Sequence, residues 1–548
     1  MLIKSEVHLL SHLRGKQHET AIGGRDLSEA ERNSINLKNI VDAPEGEADP
    51  RLVAAKERVK AAKRRAKKVS ISYSLVVFHT CFKISNPQVK ARMASKAAEW
   101  ESKAPAPNKH LDSPNRARIG KSLKEIEKLL GSQGKGAWPN NSVSSLERAF
   151  GEIVRSLDKN SSKDQDVFYA LGGFQTIWKI YEMLAECKGE STCVIPLKSL
   201  VSAGRVVIKA VHNHDANTSF LLLSNKLALI TDILLARLAR LEEPAEETMI
   251  ANLGPDTDPL SASLMTLLSS TIQQVADREG VLDQLVTSRL QDLVSFIVCS
   301  GTVDSLASYF QLVRDPIDSS PEVAEFLLTS LQLLTSLTAA VESGGQEQEP
   351  SHLFAALQGT ELAGTVSMLY GMLLHQGRDS DRCGSPVSLP EHTLAVVTAT
   401  CTLLHRLVRN GTRVEMIQGV LGQEGISLEF RHIASYLLYY CHHHSQASLL
   451  NQVIELVGYF TANHPENQSI VQSGSQPSVL QQLANLPFQF FSQAELKAVL
   501  FPSLLASCSG NAENTDILSQ EMSWQLIEDF IKSEEGQSNK LVALVLNA

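Results

Sequence analysis

The sequence predicts an all-α protein built from repeated helical units, and three observations carry that prediction. From about Ser144 onward apolar residues recur at helical spacing, and no convincing alternating run competes with them. Aromatic residues are only 5% of a chain that is 43% hydrophobic, a skew that suits packed helices better than stacked strands. One stretch also copies another: "NHPENQSIVQSG" (463–474) lines up with "GNAENTDILSQE" (510–521), 47 residues on.

The front of the chain differs from the rest. Residues 1–120 hold 23 Lys and Arg against 13 Asp and Glu, net +10, while the remainder holds 28 against 47, net −19. Two parts with different partners are expected. In 1–18 the stretch "HLLSHLRGKQH" spaces His12 and His18 as the second half of a Cys2His2 zinc finger, with Leu9 three residues before the first histidine. No cysteine precedes Cys81. Two histidines alone hold zinc too weakly to fold a finger, so 1–18 reads as a remnant, His12 and His18 as half a metal site, and no bound zinc is expected.

Residues 19–50 are polar and read as a disordered linker ending in "DAPEGEADP". "RLVAAKERVKAAKRRAKK" (51–68) carries nine basic residues and one acidic, among strong helix formers. "VKARMASKAAEWE" (89–101) has the same composition, so 51–101 reads as one basic helix interrupted at 69–88. There Ile71, Tyr73, Leu75 and Val77 alternate with polar residues like a strand, and Asn86-Pro87 is expected to end it. Such an insert inside a helix is locally inconsistent, which points to an alternative exon. Lys63, Arg64, Arg65, Lys67 and Lys68 are the candidate contacts for RNA phosphates or an acidic surface, the competing reading being a solvated spacer helix. No aromatic residue interleaves 51–68, so base stacking is not expected.

Residues 102–143 read as a linker with one short helix. "GSQGKGAWPNNS" lacks P-loop spacing, and Gly136 stands where a magnesium-binding hydroxyl is needed. From 144 to 548 helices follow one another, broken at 242–257, 343–351, 376–390 and 509–515. In the repeated unit Asn467 matches Asn514, Ile454 and Val457 match Phe501 and Leu504, and Val479, Leu480 and Leu483 match Leu526, Ile527 and Phe530. A weaker copy at 409–419 sets Ile417 against Ile470. The unit resembles the armadillo/HEAT repeat, well over 446–535 and plausibly upstream to about 190. The resemblance implies an armadillo/HEAT-like α-solenoid, whose units bury their apolar faces only by stacking and leave a long surface for protein, peptide or RNA partners.

Chemistry is not expected. The histidines of "YYCHHHS" (439–445) point about 100° apart on a helix and cannot converge on a metal. "HNHD" (212–215) reads as another helix end. No nucleophile motif, HExxH or G-x-G-x-x-G in strand–helix context occurs, so the protein is expected not to be an enzyme. The eight cysteines form no CxxC pair and read as buried, reduced thiols of an intracellular protein. No uninterrupted apolar run of about 18 residues is found, so no transmembrane span is expected.

The order of parts, "SEVHLLSHLRGKQH", then "ARMASKAAEWE", then "NRARIGKSLKEIEKLL", then the helical body, closely resembles the C-terminal part of the family of S phase cyclin A-associated proteins in the endoplasmic reticulum. The resemblance covers most of the chain except 69–88. The finger half resembles the matrin/U1-like class, whose members often bind double-stranded RNA. The family resemblance implies zinc in the intact finger and a cytoplasmic adaptor associated with the endoplasmic reticulum, with the nucleus as a second location. It also implies as partners cyclin A and its kinase, a ribosome-bound nascent-chain reader and the CCR4-NOT deadenylase, in tubulin messenger-RNA autoregulation. No clear Arg-x-Leu-Phe docking motif for cyclin is present. A protein-binding adaptor is the leading reading, and an RNA-binding protein working through its basic front is the alternative.

Overall fold

The computed structural model describes residues 74–104, 111–132, 137–158, 161–186, 195–241, 255–278, 283–342, 362–374, 386–409, 414, 418, 421–423 and 425–547, with side chains from residue 87 onward. The chain divides into two units between Val77 and Phe78. Apart from the first turn of α1, everything below lies in the second. The expectations for 1–50 and 51–68 lie outside the described residues.

All regular structure among the described residues is helical. α1 (Ser74–Lys103) and α2 (Arg116–Ser132) come first, followed by α3 (Asn140–Leu157), α4 (Ser162–Ala170), α5 (Gly173–Glu186), α6 (Leu197–Val211), α7 (Asp215–Leu223) and α8 (Lys226–Leu241). The middle holds α9 (Pro259–Ala276), α10 (Gln284–Cys299), α11 (Thr302–Leu312), α12 (Pro321–Glu342), α13 (Gly364–Leu374) and α14 (Glu391–Arg409). Then come α15 (Ile426–His443), α16 (Ala447–Thr461), α17 (Pro465–Gln472), α18 (Val479–Ala484), α19 (Gln489–Ser492) and α20 (Ala494–Cys508). α21 (Ala512–Glu521), α22 (Gln525–Lys532), α23 (Glu534–Ser538) and α24 (Lys540–Leu546) complete the order.

The strand-like reading of 69–88 is corrected from Ser74 on. α1 runs through Asn86-Pro87 to Lys103 without a break. Four alternating residues were too short a window to fix a period of two, and the apolar run 75–84 fits a helix as well. Pro87 removes one backbone hydrogen bond and costs about 3 kcal/mol in a helix interior, making it the weak point of α1.

Two rows of helices build the α-solenoid. In one row α3, α6, α9, α12, α14, α16, α20 and α24 each pack on the next; in the other α5, α8, α11, α13, α15 and α18 do the same. One continuous hydrophobic core runs between them, from Leu146 and Phe150 through Leu264, Leu331 and Val397 to Ile454 and Leu504. A single unit could not cover these side chains, so stacking supplies the stability.

One described helix has the length and composition of a membrane span without being an uninterrupted apolar run. Pro321–Val341 of α12 meets the length and composition of a span, though 67% of it is buried inside the protein. It is apolar over most of its circumference because α9 and α14 flank it in the row and α10 packs on it as well. Its buried Ser330, Ser336 and Thr338 turn their hydroxyls back on carbonyls four residues earlier, at 2.8 Å each. The two other candidate stretches are bent helix pairs, 215–241 by 71° between α7 and α8 and 284–312 by 48° between α10 and α11.

Three junctions repeat the same hydrogen-bond pattern. Asn514, fully buried, donates from Nδ2 to the Ser507 carbonyl at 2.7 Å and the Gln468 carbonyl at 3.0 Å. Asn467 donates likewise to Phe460 at 2.8 Å, and Asn217 to Ala210 at 2.8 Å and Gln165 at 3.1 Å. Each asparagine sits three residues after the N-cap of a short helix: Asn511, His464 or His214. The residue before each cap has positive φ: Gly510 at 75°, Asn463 at 55° and Asn213 at 52°, the residue types that tolerate that backbone. "HNHD" therefore closes α6 and opens α7, a third copy that the sequence reading missed.

A glutamine locks each junction from the preceding unit. Gln468 donates to Ala506 and Ser509 carbonyls at 2.9 and 3.0 Å, Gln165 to Lys209 and His212 at 3.0 and 2.8 Å, and Gln418 to Ala462 at 2.9 Å and to Tyr459. Gln418 thus corresponds to Gln468, 50 residues on, so the weak copy at 409–419 is registered three residues away from the sequence alignment of Ile417 with Ile470. Row contacts are close: a Cβ on Gly458 of α16 would stand 2.5 Å from Ser503 Oγ and 2.9 Å from its Cα.

Candidate protein-interaction surfaces

His12 and His18 lie outside the described residues, as do Lys63, Arg64, Arg65, Lys67 and Lys68. The second half of the basic stretch is described, and it is docked. Val89, Met93 and Ala97 lie on one face of α1 and are 8%, 2% and 4% exposed. Trp100, one turn further, sits 5.9 Å from the Phe220 ring of α7.

The cations beside this stripe face acids. Lys90 pairs with Asp232 at 2.6 Å. Arg92 and Lys96 both reach Asp292, at 2.7 Å each, and Lys96 also donates to Ser288 Oγ at 2.9 Å. Beneath them Arg289, 1% exposed, donates to the carbonyls of Met93 at 2.9 Å and Leu223 at 3.2 Å. Burial holds its guanidinium below the ordinary arginine value, and the nearby Asp292 opposes that shift. Composition alone made 89–101 look like phosphate-binding sequence; its acidic partners, Asp232 and Asp292, lie 142 and 200 residues away in sequence.

A second surface lies along the long-helix row. Between α9, α12 and α14 runs an open groove of about 520 Å³, lined by Gln273, Gln332, Thr335, Leu394, Thr398 and Thr402 among others. Thr335, Thr398 and Thr402 donate to carbonyls four residues back, at 2.7, 2.9 and 2.9 Å, which leaves their methyl groups for the groove. Gln273 and Gln332 are exposed amides, able both to donate and to accept. Gln273 also lines a neighbouring depression of about 590 Å³ with His212, Asn213, Asp215 and Arg278. An apolar floor edged by amides and the Glu391 carboxylate suits a polypeptide better than a phosphate chain.

Several of the described histidines and cysteines have structural places. His442 and His443 end α15, and His444 reaches the Pro386 carbonyl at 2.9 Å. His214 uses both ring nitrogens, one toward Asp166 at 3.1 Å and one as acceptor from the Asn217 amide. Among the described residues no three of His, Cys, Asp and Glu converge to hold a metal. Burial pushes the Cys401, Cys441 and Cys508 thiols up to about 12, away from the thiolate that nucleophiles and metal ligands require.

No family model matches the chain. Over an alignment of 577 positions covering 97% of it, the chain is 35% identical to a human protein, "S phase cyclin A-associated protein in the endoplasmic reticulum". The chain is a relative of that protein. The resemblance read from the finger half and the "NRARIGKSLKEIEKLL" segment is thereby borne out. The chain spans 39% of the length of the S phase cyclin A-associated protein, whose name places it with cyclin A and in the endoplasmic reticulum.

Proposed function

We propose that the protein is a non-enzymatic adaptor whose helical array captures protein partners along the row of long helices. The observation that carries this reading is the apolar-floored groove across α9, α12 and α14, edged by Gln273, Gln332 and Glu391. A stacked array presents such a surface rigidly, without the strained backbone or converging ionisable groups of a catalytic site. Relationship to a cyclin A-associated protein makes cyclin A with its kinase the first partner to test and the endoplasmic reticulum the expected location. The nascent-chain reader and the CCR4-NOT deadenylase are further proposed partners, placing the adaptor in control of tubulin messages. The test is capture of purified cyclin A–kinase by the immobilised full chain, compared with Gln332→Arg/Thr398→Arg. At least tenfold weaker capture by the variant supports the reading, and equal capture removes it.

The alternative is RNA binding through the nine cations of 51–68. Lys90, Arg92 and Lys96 contribute less to it, because each is already engaged in an ion pair, with Asp232 or the shared Asp292. Reversing Lys63, Arg64, Arg65, Lys67 and Lys68 to Glu should abolish salt-dependent RNA association if this reading holds. Unchanged association contradicts it.

A further inference from the structure

The seat of α1 has the composition of a recognition site. Its floor is apolar, with Phe220 of α7 against Trp100, and Lys90 stands 5.9 Å from the Phe296 ring of α10. Its rim is acidic, Asp232 on α8 and Asp292 on α10. The occupant presents apolar residues at 89, 93, 97 and 100 and cations at 90, 92 and 96, a helix with one apolar stripe and one basic flank.

Several features mark this occupant as exchangeable. α1 is held through side chains and makes no extended close backbone approach to any helix of the two rows. Two of its four stripe residues, Val89 and Ala97, are small. The Lys90–Asp232 pair is about half exposed, so salt screens it, whereas Arg92 reaches into the seat to the buried Asp292. The seat also keeps internal partners when vacated: Arg289 retains the Leu223 carbonyl and the neighbouring Asp292 charge.

We propose that the α7–α8–α10 seat recognises basic amphipathic helices, and that α1 is its resident occupant, displaced when a partner protein offers a helix of the same pattern: Lys or Arg at i, i+2 and i+6 beside apolar residues at i−1, i+3 and i+7. The proposal rests on the adaptor reading and adds to it the chemistry of one partner class.

The probe is a fluorescein-labelled peptide of residues 87–103, titrated by anisotropy against the full chain. The resident helix competes at an effective concentration in the millimolar range, so the unmodified chain binds the peptide weakly. Lys90→Glu/Arg92→Glu/Lys96→Glu, which repels its own helix from the seat, should bind it at least about tenfold more tightly, with affinity falling as salt rises. A peptide bearing the same three Glu substitutions should bind a chain with Asp232→Lys/Asp292→Lys and not the triple variant. Equal binding by triple variant and unmodified chain, or indifference to the charge swap, overturns the proposal.

Should the triple variant lose its helical circular dichroism, the unmodified chain decides. Saturating peptide must then speed deuterium uptake by the chain's own α1 amides, and unchanged uptake overturns the proposal. Cyclin A capture through the α9–α12–α14 groove uses other residues, so failure of either reading leaves the other measurable.

Discussion

Arg289 of α10 donates from Nη1 to the main-chain carbonyl of Met93 at 2.9 Å, joining residues 196 apart in sequence. This fully desolvated contact lies beneath the ion pairs that Lys90 and Arg92 make with Asp232 and Asp292. Replacing Arg289 with Met keeps volume and leaves carbonyls without their charged donor, a loss of about 1–3 kcal/mol. The expected result is a lower Tm together with faster amide exchange in α1. A variant with wild-type Tm and α1 protection would show that the contact holds nothing.

The three junction asparagines should behave alike. Asn217→Ala, Asn467→Ala and Asn514→Ala each strip buried carbonyls of a donor, for about 1–3 kcal/mol apiece in denaturant unfolding. Near-neutral effects at Asn217 alone would mean that the repeat register does not extend upstream as the hydrogen bonds indicate.

Gly458 lies where α16 and α20 meet, with Ser503 inside contact distance of any added Cβ. Gly458→Val should therefore destabilise by overpacking, about 1–3 kcal/mol, measured as a drop in the unfolding midpoint. Gly510, with positive φ and open space around it, should tolerate Asn far better, as Asn463 already occupies the equivalent turn.

Asp258 caps α9 and takes two hydrogen bonds from Arg237, at 2.7 and 3.0 Å. Burial pushes its carboxyl upward, but hydrogen bonds from Arg237 and Ser261 outweigh this and hold it below the usual aspartate value. A depressed folded-state value means that the stabilisation is complete above the unfolded value of about 3.9 and is lost as pH falls through the folded one. The stability gap between wild type and Asp258→Asn should therefore shrink as pH falls below the unfolded value of about 3.9. A gap constant with pH would contradict the assignment.

What the sequence disclosed follows from the range of each interaction. Helical period and the copy between Asn467 and Asn514 are local patterns, and they led to the all-α repeat array directly. The upstream copy at Asn217 was legible as well: "NHDAN" matches "NHPEN", Val207 matches Val457, and Phe220 and Leu221 match Ile470 and Val471, but the two copies lie several units apart along the chain. The alternating run before Pro87 misled because strand and helix periods coincide over so few residues. The docking of 89–101 was invisible for a different reason: its acidic partners are far along the chain, and cations destined for Asp292 look the same in sequence as cations destined for phosphate.

The central claim is that the groove across α9, α12 and α14 captures protein. Its most direct test is surface plasmon resonance of purified cyclin A–kinase over the immobilised full chain and over Gln332→Arg/Thr398→Arg, both confirmed folded by circular dichroism. The account predicts saturable binding to the unmodified chain and at least tenfold weaker binding to the variant. Binding of equal strength to both would contradict it.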